Sequence, residues 1–235
     1  MKINVCGVAF DDLDAQGAVD RVMGDRNGRF FVATPNALML QRCEREPALR
    51  ELLNAASIVL PDGMGVLRAA QRQGTPFRGR AAGIDFGERL LEAASRSGAR
   101  VFLLGGEEGV APMAAERLAA RYNGLRICGS YWGYFEKYGV ENQSVVSMIR
   151  ACRPEILFVC FGFPTQERWI LENLPLLPSV RVAAGLGGSL DVWSGQKRRA
   201  PERWQAMGME WAWRMLHEPS RMRQLPELWR FYRGK

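Results

Sequence analysis

The sequence predicts an α/β fold, a Rossmann-like and largely parallel sheet flanked by helices, followed by a C-terminal helical appendage rich in basic and aromatic residues. Three observations lead there. Short apolar runs bounded by turn residues recur along the chain, stretches with helical spacing separate them, and strand signals end after Gly195. Buried strands alternating with crossover-length helices are the pattern of a parallel sheet.

Taken in order, residues 3–10 with their acidic sequel read as an edge strand or hairpin. Inner strands follow at 30–33, 57–60, 101–104, 156–161 and 180–184, with a further short strand at 125–130. Helices are expected at 14–23, 47–55, 65–72, 84–97, 109–122, 141–151 and 165–173, all short enough to be crossovers. Beyond Gly195, Trp204, Trp211, Trp213, Trp229, Phe231 and Tyr232 interleave with arginines along helical stretches that break near Pro219 and Pro226. The chain therefore divides into a core, 1–195, and an appendage, 196–235. Internal repeats and low-complexity segments are absent.

With 235 residues, 47% of them hydrophobic, the chain can bury a sizeable core. No stretch approaches the roughly 18 uninterrupted apolar residues that span a bilayer, and the first ten residues lack the features of a secretory signal. A cytosolic location is expected. The five cysteines are widely spaced and never form Cys-x-x-Cys, so they read as reduced core residues, not as a disulfide framework or zinc site. The formal charge is +7, and residues 195–235 carry most of it, with ten Lys and Arg against four Glu. Such a concentration implies an anionic partner, whether nucleic acid, a phospholipid surface or a phosphorylated substrate.

Ligands of an open parallel sheet bind beyond the carboxyl ends of its strands, where this chain places unusual polar residues. Thr34, Pro35 and Asn36 follow the first inner strand, as an N-cap and Asx turn by the plainest reading. Asp62 and Gly63 follow the second. Asp62 either forms that turn or stands at the mouth of a cleft, where one positioned carboxylate suffices to take a proton from a hydroxyl. Gly105 and Gly106 lie between the third strand and a helix, where backbone amides and the positive helix end suit a diphosphate. They match neither G-x-G-x-x-G nor G-x-x-x-x-G-K-[ST], which counts against a dinucleotide oxidoreductase and an NTPase.

Gly162, Pro164, Thr165, Gln166 and Glu167 open a helix directly after a buried strand, and capping accounts for Thr165 but not for the cluster. Gly185, Gly187, Gly188 and Asp191 lead into Ser194, Gly195, Lys197, Arg198 and Arg199, a glycine turn followed by cations that suits an anionic ligand. Asp12 and Asp14 share an Asp-x-Asp spacing but precede a helix, so they read as caps and not as metal ligands. The sole histidine, His217, reads as a helix-end residue, which leaves histidine triads and His-rich metal sites unsupported.

Together, Thr34 with Asn36, the Asp62-Gly63 pair, Gly83-Ile84-Asp85, residues 103–106, 162–167 and 185–191, Arg199-Ala200-Pro201, and Glu210-Trp211 leading to Arg214, Glu218-Pro219 and Arg221 resemble the WecG/TagA/CpsF family of bacterial glycosyltransferases, over residues 4–231. The resemblance implies transfer of a hexose (N-acetylmannosamine, its uronic acid or glucose) from a UDP-sugar to a polyprenyl-diphosphate-linked sugar, with inversion, without an essential metal and without a cofactor beyond the donor. It implies Asp62 as catalytic base, Thr34 as its partner in the pocket, Gln166 as a substrate contact, and Arg214, Arg221 and Arg223 as the diphosphate-binding group. Asn36, Gly63, Arg80, Asp85, Gly105, Gly106, Gly162, Pro164, Glu167, Gly187, Asp191 and Arg199 complete the expected substrate-binding set.

Peripheral association with an anionic membrane surface at the cytoplasmic face is also expected, together with self-association and no nucleic-acid partner. Two departures from the family pattern, Pro35 within Thr-x-Asn and Val192 directly after Asp191, bear on substrate preference more than on reaction type. The rival class is a nucleic-acid-binding protein that uses the basic aromatic tail to hold phosphates and stack bases, a reading that leaves Asp62 and Gln166 unexplained.

Overall fold

Strands that are apolar at every position must be covered on both faces, and this dictates the architecture. The computed structural model describes residues 1–217 and residue 231. In chain order the elements are β1 (Lys2–Val5), β2 (Val8–Asp11), α1 (Ala15–Gly24), β3 (Phe30–Ala33), α2 (Ala37–Arg45), α3 (Pro47–Asn54), β4 (Ile58–Val59), α4 (Met64–Arg72), α5 (Gly83–Ser97), β5 (Arg100–Gly105), α6 (Val110–Arg121), β6 (Arg126–Tyr131), α7 (Gly139–Cys152), β7 (Ile156–Cys160), α8 (Thr165–Asn173), β8 (Val182–Gly185), α9 (Ser189–Trp193), α10 (Glu202–Ala206) and α11 (Glu210–His217).

Six strands form one parallel sheet in the order β4-β3-β8-β7-β5-β6. Every residue of β3, β7 and β8 is buried. Successive residues feed opposite cores: Phe30 and Val32 face one layer with α1, α5, α6 and α9, while Phe31 and Ala33 face the other with α2, α3, α4, α7 and α8. Phe231, from the C-terminal end, packs against the second layer. All the expected inner strands and crossover helices are present. The helix α2 was marked by the sequence only at its entry, because its run of helix formers continues through Glu46-Pro47 into α3. The short α9 was hidden inside a glycine-rich stretch.

Residues 3–10 form a hairpin, as one of the two readings had it, but not at an edge of the main sheet. β1 and β2 pair antiparallel in a two-stranded sheet of their own, turned by Cys6 and Gly7 with φ of +52° and +80°, the geometry that matches strand twist in two-residue hairpins. The side chains of Ile3, Val5, Val8 and Phe10 are buried in the second core. Asp11, 4% exposed, accepts the Val59 N–H at 3.0 Å and pairs with Lys2 and Arg21. The Asn54 side chain accepts from Ala9 N–H and donates to Gly7 O. Asp14 caps α1 by accepting the Gly17 N–H at 2.7 Å, and Asp12 accepts the Arg78 N–H. Asp14 is thus the cap expected of it, whereas Asp12 caps no helix and instead braces the segment at Arg78, with which its carboxylate also pairs.

The parallel arrangement delivers the ends of β3, β4 and β8 side by side, and two glycines let neighbouring backbone come close. At Gly83, where α5 begins, a Cβ would stand 2.7 Å from Thr34 Oγ1. Gly105 has φ +141°, and a Cβ there would lie 2.5 Å from the Cys160 carbonyl oxygen. Strain and overlap at such a site cost of the order of 2–3 kcal/mol. Gly105→Ala is accordingly expected to lower the melting temperature by about 5 °C or more, measurable by calorimetry, whereas an unchanged melting temperature would mean that the β5–β7 approach is looser than described.

Candidate active site

A cleft of about 180 Å³ opens at the carboxyl ends of β3, β4 and β8. Its floor carries Thr34 and Asn36 after β3, and Asp62 and Gly63 after β4. One wall is the β8–α9 turn with Gly188, Ser189 and Asp191, followed by Lys197, Arg198 and Arg199. The opposite side is Arg80 with the start of α5, and Glu210, Trp211 and Met215 of α11 approach from above.

Local chemistry fixes each group. Asn36 is the N-cap of α2, its Oδ1 accepting from Leu38 and Met39 N–H at 3.0 and 3.2 Å, as the plain capping reading predicts. Its side chain is thereby committed to the helix even though it lines the cleft. Thr34 is buried and its Oγ1 donates to the Gly185 carbonyl at 3.3 Å, which ties β3 to β8 at the cleft floor. Asp62 is half-buried, its N–H donating to Pro35 O at 3.3 Å, and Gly63 with φ +86° sends the chain into α4. The backbone of Asp62 is therefore fixed between two turns.

The cations are organised by acids. Asp85, in the first turn of α5, pairs with Arg80 at 3.4 Å and closely with Arg199, while Glu210 approaches the same Arg80 at 3.5 Å. Lys197 pairs with Asp191 at 2.6 Å. The Asp85 side chain is 34% exposed, so each such pair is worth only about 0–1 kcal/mol of stability. Orientation, not stability, is what these pairs supply. Among the described residues, no three His, Cys, Asp or Glu side chains gather in a way that could hold a metal ion.

Of the residues singled out from the sequence, Thr34, Asn36, Asp62, Gly63, Arg80, Asp191 and Arg199 line this cleft, and Asp85 stands behind two of them. Others lie elsewhere. Gly105 and Gly106 form the β5–α6 turn, where Gly133 N–H donates to Gly106 O at 2.8 Å. A Cβ on Gly133 would stand 2.9 Å from Gly105 Cα. Gly162, Pro164, Gln166 and Glu167 occupy the β7–α8 turn, and Gly187 joins them through its N–H to Gln166 Oε1 at 2.9 Å. Arg221 and Arg223 lie outside the described residues, as does the side chain of Arg214. His217 ends α11 with its ring stacked on Trp213. Among the described residues all five cysteines are unpaired thiols.

Sequence reasoning did not single out Glu210 as the partner of Arg80, nor the apolar cover of Trp211, Met215 and Met64. The near contact of Gly208 with Met64, where a Cβ would lie 2.3 Å from Cγ, shows how closely the segment after residue 200 folds onto the cleft.

A parallel sheet covered by helices on both faces, with a carboxylate, a hydroxyl and acid-paired cations around one cleft at its strand ends, is a Rossmann-like arrangement with its polar groups where such sheets bind ligands. The sequence profile described as "Glycosyl transferase WecG/TagA/CpsF family" matches residues 3–234, and the chain belongs to that family. A Bacillus spizizenii protein named N-acetylglucosaminyldiphosphoundecaprenol N-acetyl-beta-D-mannosaminyltransferase is 34% identical over 201 residues, covering 86% of this chain and 76% of its own. A protein of the same name from Staphylococcus aureus (strain MW2) is 31% identical over 231 residues, 97% of this chain and 89% of its own.

The first turn of α8 carries a fully buried acid, Glu167. Burial pushes the Glu167 carboxyl up from 4.5 to about 7, against the opposing pull of its hydrogen bond from Gln166. Between those values the folded protein holds a proton that the unfolded chain has released. This group's stabilising contribution is therefore complete below about pH 4.5 and is lost as pH rises to about 7. Relative to Glu167→Gln, the wild type should lose melting temperature progressively across that window. Parallel pH curves for the two proteins would show Glu167 ionised throughout.

Proposed function

We propose that the chain is a metal-independent, inverting hexosyltransferase that moves a sugar from a UDP-sugar to a polyprenyl-diphosphate-linked sugar acceptor, in the synthesis of a cell-surface polysaccharide. The observation that carries this reading is the convergence of Asp62, Thr34, Arg80, Arg199 and Lys197 on one cleft. The names of the relatives support N-acetylmannosamine as the sugar and a polyprenyl-diphosphate-linked N-acetylglucosamine as the acceptor.

In this reading Asp62 removes the proton from the acceptor hydroxyl as its oxygen attacks the anomeric carbon from the face opposite the leaving group. The new carbon–oxygen bond forms while the bond from the anomeric carbon to the diphosphate oxygen breaks, and the electron pair leaves with UDP. The negative charge that develops must be met by cations or oriented dipoles. Arg80 and Arg199, paired with Asp85, and Lys197, paired with Asp191, are the groups that meet it in this reading, in place of a divalent ion. Thr34, fixed by Gly185 O, orients the donor sugar at the cleft floor.

No helix among the described residues is long and apolar enough to cross a membrane. A lipid-linked acceptor then requires the enzyme to work at the membrane surface, and the basic, aromatic composition beyond residue 195 suits docking on anionic lipid at the cytoplasmic face. Arg214, Arg221 and Arg223 are proposed to add to the diphosphate site there.

Two outcomes test the reading. Asp62→Asn is expected to fold with an unchanged circular dichroism spectrum and to lose turnover by about 10²-fold or more in an acceptor-dependent UDP-release assay; turnover within a few-fold of wild type removes Asp62 from the base role. A chain ending at His217 is expected to cease sedimenting with vesicles containing anionic phospholipid. Equal sedimentation of the short and full-length chains would assign membrane contact to another surface, or to none.

A further inference from the structure

Gln166 has been taken so far as a substrate contact on the strength of resemblance, yet its geometry says something different. The side chain is 4% exposed. Its Oε1 accepts two backbone N–H groups, from Gly162 at 3.1 Å and from Gly187 at 2.9 Å, and its Nε2 donates to Glu167 Oε1 at 2.9 Å. Both ends of the amide are thus engaged inside the protein, and Gln166 is not among the residues lining the cleft.

We infer that Gln166 and Glu167 are positioning residues: the Gln166 amide is a bracket that ties the β7–α8 turn to the β8–α9 turn and so fixes the donor cleft, and Glu167 sets which way that amide faces. An amide has one accepting and one donating end. Reversed, Gln166 would point its NH₂ at the two backbone N–H groups and leave both without an acceptor in a buried site, each at a cost of about 1–3 kcal/mol. The acceptor that makes the observed orientation the favourable one is Oε1 of the Glu167 carboxyl.

The bracket reaches the cleft by two short routes. Gly187 leads directly into Gly188, Ser189 and Asp191 of the cleft wall. Gly185 has its α-carbon against the same amide, where a Cβ would stand 2.8 Å from Gln166 Nε2, and its carbonyl receives the Thr34 hydroxyl at 3.3 Å. The orientation of Thr34 and the position of Asp191 therefore both depend on where the Gln166 amide holds the end of β8.

Glu167 fits this role better than a role in the reaction. It is fully buried, and its second oxygen has no hydrogen-bond partner among the described residues. The charged and titratable groups acting on it, Arg42 and Cys43, both belong to α2. Arg42 is itself engaged with the Phe163 carbonyl at 3.2 Å and the Phe163 ring at 5.1 Å. What the site keeps is a single acceptor aimed at Gln166.

A reciprocal exchange tests the inference. Gln166→Glu retains an acceptor for the two glycine N–H groups but sets two carboxyl groups against each other, and should lower kcat/KM for the donor by roughly tenfold or more. In the double variant Gln166→Glu/Glu167→Gln the donor and acceptor ends trade places, and kcat/KM should return to within about threefold of wild type. A double variant as impaired as Gln166→Glu alone overturns the inference, because that is the result for a glutamine needed by the substrate.

This kinetic arm rests on the transferase reading, so amide hydrogen exchange supplies an arm that does not. Glu167→Met fills similar volume without an acceptor and should speed exchange at the Gly162 and Gly187 amides by about tenfold, whereas Glu167→Gln should leave them protected. Protection in Glu167→Met equal to wild type also overturns the inference. A wild-type protein that transfers no sugar with any donor would sink the functional reading while the exchange result still decided the bracket.

Discussion

Burial of the main sheet on both faces is the constraint from which the rest follows. With β3, β7 and β8 buried at every position, the central strands leave no face for polar chemistry, so functional side chains collect where those strands end. The parallel direction places those ends on one rim. Thr34, Asp62 and the β8–α9 turn are neighbours for that reason alone, although up to 151 residues separate hydrogen-bonded partners across the rim. The hairpin contributes from a distance: the Asp11 carboxylate braces β4 through Val59, one turn before Asp62.

The polar rim is held at two depths. At the surface, pairs such as Asp85 with Arg80 and Arg199 orient cations at little cost, since partly exposed ion pairs are worth about 1 kcal/mol or less. Beneath it, the Gln166 amide and the Glu167 carboxyl work in a dry site where an unpaired polar group is expensive. The difference in burial is a difference in rigidity. Deep groups fix backbone turns, and shallow ones leave side chains able to exchange partners when an anion arrives.

Much of the fold was legible because period and length are local signals. All-apolar runs such as 156–160 can only be buried strands here, and a crossover helix between each pair leaves a parallel sheet as the consistent answer. The hairpin's separate sheet was not legible, since the contacts that set it apart, Asp11 to Val59 and Asn54 to Gly7, join residues about 45 or more positions apart. The site was legible as chemistry but not as geometry. Gln166 and Glu167 stood out because two polar residues opening a helix after a buried strand need a reason. Whether that reason faces a ligand or the protein is decided by partners on Gly162 and Gly187, which composition does not reveal. The Gly105-Gly106 turn shows the same limit, because a glycine pair admits a phosphate and a crossing backbone equally well, and Gly133 supplies the second.

The charge balance of the cleft has its own logic. Arg80, Lys197 and Arg199 are each paired with an acid, among them Asp85, Asp191 and Glu210. A permanent excess of uncompensated cations would bind any polyphosphate, whereas paired arginines favour a ligand only when its phosphates present bidentate geometry and displace or join the resident carboxylates. Glu210 makes the exchange sensitive to more than the core, since it stands at the start of α11 while its partner Arg80 stands beside α5. The Arg80–Glu210 pair thus ties the start of α11 to the wall of the cleft.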